Sequence, residues 1–211
     1  MRRSARALVW LLVPVAALAA TPDLAQSLIV GMGQTPPAET PFIQVSYRAV
    51  LDRPLIASGT LRWLGGERLE RDTTEPFQET ARLGDGELTV QRGPGRVHRI
   101  ALARAPQAAA LLTGFSALLS GDAAGLERDF TLSATGDAAH WVITLAPRTR
   151  ELQQRIASIV VDGRGHAPDC LVLHDANGDA TFTLMGTLAK AGLKDAAPAQ
   201  AALAARCQAG P

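Results

Sequence analysis

The chain has 211 residues, of which 47% are hydrophobic and 19% charged, and its 21 basic and 20 acidic residues give a formal net charge of +1. This length suits one domain with a sizeable hydrophobic core. The two signs of charge are interspersed, which excludes the basic stripe that binding to a nucleic-acid backbone requires.

The N-terminal region predicts export. Three arginines among the first six residues precede an apolar run over Ala7–Ala20, and Ala17-Leu18-Ala19 offers small residues for signal peptidase. This pattern is typical of a cleavable signal peptide, here over residues 1–19, and we expect the mature protein in the periplasm. A retained membrane helix is the alternative, although the run is shorter than the roughly 20 residues that span a bilayer. Cleavage leaves 18 basic and 20 acidic residues, a net charge of about −2.

The next predicted element is a short amphipathic helix. Apolar side chains follow one another at four-residue spacing from Leu24 to Met32, and a glycine, Gly31 or Gly33, is expected to end the helix. Three prolines then predict an extended connector over residues 34–41.

A series of short strands follows this connector. Apolar and polar residues alternate in Ile43–Ala49 and in Leu55–Trp63, which is the period-two pattern of a half-buried strand. Turn dipeptides such as Asp85-Gly86 and Asn177-Gly178 join later strands. About ten strands with such short connections predict an antiparallel meander. A long sheet of this kind curls, so its concave face must be filled or covered.

The segment Pro106–Phe130 interrupts the strands with a helical pattern. Its apolar residues lie on one helical face, namely Leu111, Leu112, Phe115, Leu118 and Leu119. Gly121 is expected to end this helix, and Asp122 to cap a second helix that carries Leu126 and Phe130 one turn apart. Because the apolar face must be buried, we predict that the segment covers the concave face of the sheet.

The C-terminal region, from Leu188 onward, is rich in alanine and is predicted to be a weakly packed tail over residues 188–211. The two cysteines of the chain, Cys170 and Cys207, are expected to form a disulfide in an exported protein, which would pin this tail. Two free thiols are the alternative, because spacing in the sequence does not show that two Cβ atoms meet.

Motifs for catalysis or metal binding do not occur in the sequence. There is no Gly-x-Ser-x-Gly or His-Glu-x-x-His motif, and the four histidines are scattered singly. Asp175, Asn177 and Asp179 resemble the start of a calcium loop, but Ala180 stands where such a loop needs glycine, and a hairpin turn explains these residues better. We therefore predict a protein that is not an enzyme and holds no cofactor or metal, with a hydrolase as the least favoured alternative.

Several segments of the chain share their residues and their order with one known family. These segments are Gly59–Trp63, Arg68–Arg71, Thr73–Phe77 with Glu79, Ala103–Pro106, Leu118–Asp122, Leu126-Glu127, and Trp141 with Leu145 and Pro147. On them, the chain over about residues 24–186 resembles LolA, the periplasmic carrier of outer-membrane lipoproteins, and is most similar to a LolA-related branch.

The resemblance implies an α+β, mainly β fold, in which helices cover the open concave face of an incomplete antiparallel β-barrel. Residues 20–187 would form this half-barrel domain. The residues expected to line an apolar cavity are Leu61, Trp63, Leu69, Val97, Leu111, Leu112, Phe115, Leu118, Leu119, Trp141 and Ile143. A solid core filled by the same side chains is the alternative.

The function implied by the resemblance is a periplasmic carrier that sequesters acyl chains of a lipoprotein or another lipid for transfer towards the outer membrane. Such a carrier would act as a monomer between an inner-membrane donor and an outer-membrane acceptor. The alternative is a non-catalytic scaffold or accessory protein of envelope lipid transport with a filled core. LolA has an Arg-Pro pair after its second strand, and its arginine holds the helices closed. Residues 64–67 lack this pair here, and Arg62 and Arg68 are the candidates for its place.

Overall fold

The computed structural model describes residues 23–104 and 114–211. The predicted signal peptide over residues 1–19 lies outside this part of the chain, as do Leu111 and Leu112 of the helical segment. No helix within residues 23–104 and 114–211 combines the length and the apolar character needed to cross a membrane.

Eleven strands, counted over the described residues, form one antiparallel sheet, and the predicted meander is confirmed. The strands are Ala38–Tyr47 (β1), Leu55–Gly65 (β2), Arg68–Glu75 (β3), Glu79–Gly84 (β4), Glu87–Arg92 (β5), Val97–Ala101 (β6), Phe130–Gly136 (β7), Trp141–Pro147 (β8), Ile156–Arg164 (β9), Ala167–Asp175 (β10) and Ala180–Met185 (β11). Strand β1 begins inside the predicted connector, because residues 38–41 already pair with β2.

Helices are found before, within and after the sheet. They are Leu24–Met32 (α1), residues 114–120 (α2), Ala123–Glu127 (α3), Arg150–Gln153 (α4), Gly186–Lys190 (α5) and Gln200–Ala209 (α6), and a 3₁₀ turn spans Leu102–Arg104. The predicted boundary between α2 and α3 is confirmed, but the expectation that Phe130 lies on the second helix is wrong, because α3 ends at Glu127 and Phe130 pairs with Pro147 at the start of β7. Gly121 adopts a positive φ of 73° that ends α2, and the Asp122 side chain accepts a hydrogen bond from the Gly125 N–H at 2.8 Å.

The order of the strands explains where the helical segment lies. The sheet runs β6-β5-β4-β3-β2-β1-β11-β10-β9-β8-β7, so its two edge strands, β6 and β7, are consecutive in the chain. The connection between them must pass from one edge of the open sheet to the other, and α2 and α3 lie on this connection. The predicted half-barrel covered by helices is confirmed. The helices lie over the open sheet because they belong to the connection that joins its two edge strands, β6 and β7.

The two faces of the sheet follow from the cross-strand pairs, since directly paired residues lie on the same face. We call the face that carries Phe42, Leu61 and Ile143 the concave face, and the opposite face the convex face. On the β7–β10 half, the concave face packs against α1, α2 and α3 in one buried core. Its members are Ile29, Met32, Ala117, Leu118, Ala123, Leu126, Phe130, Trp141, Ile143, Leu145, Leu152, Ile156 and Val161.

The C-terminal region covers the convex face, and the expectation of a weakly packed tail is wrong. Leu188 of α5 and Leu203 of α6 are buried in a second core with side chains of β1, β10 and β11. Arg206 ties the two helices together by donating to the carbonyl oxygens of Gly192 and Leu188 at 2.7 and 2.9 Å.

The disulfide joins this second core to the last helix. Cys170 of β10 and Cys207 of α6 are bonded, with Cα atoms 5.7 Å apart, and both residues are buried.

The turn at residues 175–179 is the predicted hairpin: its Gly178 N–H donates to the Asp175 carbonyl oxygen at 3.1 Å. The nearby Arg48 forms ion pairs with Asp175 and Asp179, with its Nη1 atom 2.8 and 3.5 Å from their carboxylate oxygens.

A glycine in strand β9 makes room for the largest side chain of the first core. A Cβ atom on Gly163 would overlap both the ring of Trp141 and the carbonyl oxygen of Ala167. We expect Gly163→Ala to lower the free energy of unfolding by about 1–3 kcal/mol, because a buried ring and a backbone carbonyl must both shift. Equilibrium urea unfolding measures this loss.

Gly84→Ala is the matched control for this prediction. Gly84 is also a strand glycine, but a Cβ there would meet only the flexible Arg68 side chain, at 3.4 Å. The control is expected to leave stability within about 0.5 kcal/mol of the parent. Equal losses in the two variants would contradict the tight packing of Trp141 against β9.

Candidate functional site

An apolar cavity of about 430 Å³ lies between α2 and the concave face of β1–β5. A smaller space of about 160 Å³ extends it and shares Leu61, Arg71 and Phe115 with the larger one. The larger cavity is lined by apolar residues from nine elements, which include Met32, Ala38, Leu61, Trp63, Leu69, Ala81, Leu83, Leu88, Phe115, Leu118, Leu119, Leu171 and Met185.

The sheet side of the cavity consists of rows of cross-strand pairs. The apolar row runs from β2 to β5 and contains Trp63, Leu69, Leu83 and Leu88. The middle row is parallel to it and contains Leu61, Arg71, Ala81 and Val90. Because successive side chains of a strand alternate between faces, only every second residue of each strand contributes to these rows.

Helix α2 forms the opposite side of the cavity. Phe115 and Leu119 are half-buried and line the space, whereas Leu118 is buried and also belongs to the first core. The end of α2 is attached to the connector after α1, because the Gln34 N–H donates to the Leu119 carbonyl oxygen at 2.9 Å. The helix is thus held between a packed core and an open cavity.

Charge is distributed unequally between the two faces of β2–β4. On the convex face, Arg62 pairs with Asp72 and with Glu39, the latter at 2.8 Å. Burial acts to raise the pKa of the Asp72 carboxyl, but hydrogen bonds from Thr80 and Arg62 outweigh it and hold that pKa below its ordinary value. On the concave face, the guanidinium of Arg71 lies 4.8 Å from the centre of the Phe42 ring.

A family described as "Outer membrane lipoprotein carrier protein LolA-like" matches residues 16–210 of the sequence. This chain belongs to the LolA-like family. The resemblance inferred from the sequence is therefore confirmed, and the match spans the C-terminal helices as well as the sheet. No curated protein matches the sequence significantly.

Three solved structures are similar to the LolA-like chain at low sequence identity. A LolA superfamily protein from Nitrosomonas europaea is 12% identical, with a TM-score of 0.42 over 77% of this chain and 91% of its own. A putative outer membrane lipoprotein-sorting protein domain from Vibrio parahaemolyticus is 10% identical, with a TM-score of 0.41 over 81% and 94%. The MucA/MucB complex of Pseudomonas aeruginosa is 15% identical, with a TM-score of 0.40 over 85% and 60%.

Most of the described residues that the sequence analysis proposed for the cavity do line it in the LolA-like protein. They are Leu61, Trp63, Leu69, Phe115, Leu118 and Leu119. Their contact with a lipid stays a prediction. Leu111 and Leu112 lie outside the described residues.

Three other proposed residues lie away from the cavity. Val97 pairs with Gln91 of β5, whereas the lining residue Leu88 pairs with Ile100, so Val97 belongs to the convex face. Trp141 and Ile143 do lie on the concave face, but they are fully buried in the first core under α1–α3. Side-chain alternation indicates which residues share a face, but the helices decide which part of that face is filled.

Several lining residues were missed in the sequence analysis although their pattern was present. Ala81 and Leu83 in β4 and Leu88 in β5 alternate with polar residues, as the chosen residues of β2 do. The period-two signal would have found them once β2–β5 were paired in register. Arg71 is different, because an arginine among apolar side chains gives no hydrophobic signal.

Neither candidate for the LolA latch arginine reaches α2 in the described residues. Arg62 belongs to the ion pairs of the convex face. Arg68 donates to the carbonyl oxygens of Leu64 and Gly65, at 2.9 and 3.5 Å, within its own hairpin. The arrangement of LolA proper is thus not reproduced by these two side chains.

Proposed function

We propose that this LolA-like protein is a periplasmic carrier that sequesters acyl chains of a lipoprotein or another lipid and moves them towards the outer membrane. The observation that supports the proposal most directly is the apolar cavity of about 430 Å³ between α2 and β1–β5. Cavities that bind small ligands commonly measure about 300–1,000 Å³ and are lined mainly by apolar side chains.

The energetics of such a carrier follow from apolar burial alone. Each methylene group moved from water into an apolar cavity contributes about 0.8 kcal/mol, so a long chain is held strongly without any chemical step. Release then requires an acceptor that offsets this burial, or a movement of the helices that opens the cavity. A carrier of this kind needs no catalytic residue, and we propose that the protein is not an enzyme.

The compartment and the partners belong to the same proposal. The predicted signal peptide and the disulfide both suit the oxidising periplasm. We propose that the mature protein works as a monomer that receives its cargo from an inner-membrane donor and delivers it to an outer-membrane acceptor.

Filling the cavity tests the proposal. Ala81 projects from the middle of β4 into the cavity, and Ala81→Phe would occupy space that an acyl chain needs. We expect this variant to lose at least about 90% of its binding of a fluorescent 16-carbon lipid, because the phenylalanine ring would take up space in the cavity that the hydrocarbon chain needs. Its thermal midpoint is expected to stay equal to that of the parent or to rise, since the new ring enters an unfilled space. Fluorescence titration and thermal unfolding measure the two quantities.

Ala49→Phe is the matched control, because Ala49 is an exposed residue in the turn after β1. Lipid binding by this control should equal that of the parent. Native mass spectrometry of the protein isolated from a periplasmic extract provides an independent measurement of co-purified lipid. The carrier proposal is contradicted when the parent holds no acyl species in either experiment, or when Ala81→Phe binds as well as the parent.

A scaffold that binds a protein of the envelope machinery is the second candidate. The filled half of the concave face favours it, because Trp141 and Ile143 pack there without contact to the cavity. A scaffold would retain its partner when Ala81 is replaced by phenylalanine, and it would carry no lipid. The lipid titration therefore separates the two candidates: a carrier binds the fluorescent lipid, and a scaffold does not.

A further inference from the structure

Arg71 differs from the other arginines of similar burial. In the described residues, five arginines are half-buried: Arg48, Arg62, Arg71, Arg164 and Arg206. Four of them donate hydrogen bonds to carboxylates or to backbone carbonyl oxygens. The Arg71 guanidinium contacts the face of the Phe42 ring, and no carboxylate or carbonyl group of the described residues accepts a hydrogen bond from it.

The acidic residue whose charge acts on Arg71 is Glu79, and it already has another partner. Glu79 of β4 accepts two hydrogen bonds from Arg92, at 3.3 and 3.0 Å, and Arg92 also lies 3.9 Å above the Phe77 ring. Burial lowers the pKa of the Arg71 guanidinium, and the charge of Glu79 offsets part of this effect. The guanidinium nevertheless stays protonated, as arginines in proteins do.

The concave face changes from apolar to polar at the position of Arg71. The apolar row, Trp63, Leu69, Leu83 and Leu88, lies on one side of the middle row. On its other side the next cross-strand row contains Phe42 on β1 and Gly59 on β2, followed by the polar residues Thr73, Glu79 and Arg92 on β3–β5. Arg71 therefore lies at the boundary between a surface suited to hydrocarbon and one suited to a charged group.

A guanidinium at such a boundary has a natural ligand. Arginine presents a planar set of N–H donors that matches a carboxylate in a bidentate arrangement, and the bond is stronger in an apolar surrounding than in water. The cation–π contact with Phe42 holds the group in place without using these donors. Arg71 lines both the larger and the smaller space, and in the smaller one Gln44 and Thr183 are the other polar residues.

We propose that Arg71 binds the carboxylate of an anionic, single-chain lipid whose hydrocarbon chain lies along Trp63, Leu69, Leu83 and Leu88. This inference rests on the proposed carrier function and narrows its cargo from acyl chains in general to amphiphiles with a charged group at one end. The chain supplies affinity by burial, and Arg71 supplies selection for the charged end.

Paired ligands test the two parts separately. A fluorescent 16-carbon fatty acid and its methyl ester have the same chain, but only the acid carries a negative charge. We expect the parent protein to bind the acid at least about tenfold more tightly than the ester, which is the contribution of one charge-assisted hydrogen-bonded pair. Acetate, which has the carboxylate and no long chain, is expected not to displace the acid at millimolar concentration.

Arg71→Met removes the charge and keeps an extended, apolar side chain. We expect this variant to bind the acid about tenfold more weakly and the ester as tightly as the parent does, so that the preference disappears. Arg71→Lys should retain part of the preference, because it keeps the charge and loses the bidentate geometry. Arg99→Met is the control: Arg99 is exposed on the convex face of β6, where it pairs with Thr89, and its loss should leave both affinities unchanged.

The results distinguish this inference from the carrier proposal. Equal affinities for the acid and the ester in the parent, or an undiminished preference in Arg71→Met, would overturn the role of Arg71 and leave the carrier proposal intact. Absence of binding of both ligands to the parent would overturn the carrier proposal and this inference with it. A preference that acetate abolishes would identify a site for free carboxylates and overturn the lipid assignment.

Discussion

Replacing Trp141 with alanine is expected to lower the free energy of unfolding by about 3–5 kcal/mol, the usual cost of removing a large ring from a packed core. Trp141 is fully buried among side chains of α1, α3 and the β7–β10 half of the sheet. Its Nε1–H also donates to the Gly165 carbonyl oxygen at 2.9 Å, and this acceptor would lose its partner. Equilibrium urea unfolding, followed by circular dichroism, measures the loss.

Trp63 provides a matched comparison within the same protein. It is also a concave-face tryptophan, and its Nε1–H likewise donates to a turn glycine, Gly66, at 2.9 Å. One side of its environment is the cavity, so fewer contacts are lost on truncation. We expect Trp63→Ala to cost at least about 1 kcal/mol less than Trp141→Ala and to weaken binding of the fluorescent lipid. Equal losses of stability would mean that the cavity beside Trp63 is filled in solution.

Removing the disulfide is the second change with a large expected effect. Cys170 and Cys207 are 37 residues apart in the sequence, and a cross-link that closes a loop of this size contributes about 4 kcal/mol by reducing the entropy of the unfolded chain. We therefore expect the Cys170→Ala/Cys207→Ala variant to unfold at a clearly lower urea concentration than the oxidised parent. Binding of lipid at low temperature should persist, because α6 packs on the convex face and the cavity lies on the concave face.

The parent protein measured in a reducing agent is the control for this variant. Reduction should move its urea midpoint close to that of the double variant, and the double variant itself should not respond to the reductant. The prediction is contradicted when oxidised and reduced parent unfold at the same midpoint.

The helices cover the two halves of the concave face differently, and this explains why a core and a cavity lie on the same face. On the β7–β10 half, α1, α2 and α3 bring Ile29, Leu118 and Leu126 onto the sheet, and the space is filled. On the β1–β5 half, α2 contributes Phe115 and Leu119 along one side, and about 430 Å³ is left open. The open cavity and the packed core thus lie in different parts of the same concave face.

The sequence by itself determined the strands, the turns and the interrupting helices. Alternation of apolar and polar residues in β1–β5, turn dipeptides such as Asp85-Gly86, and the cap at Asp122 are local signals, and local signals act over a few neighbouring residues. Six of the proposed lining residues followed from such signals together with the family resemblance.

Only the tertiary structure decided which of these residues meet. Cross-strand register placed Val97 on the convex face, and helix docking placed Trp141 and Ile143 in the core and not in the cavity. The packed C-terminal helices depend on contacts with strands that are distant in the chain. The physical reason is the same in each case: alternation defines two faces of a strand, whereas the partner of each face is set by contacts between distant parts of the chain.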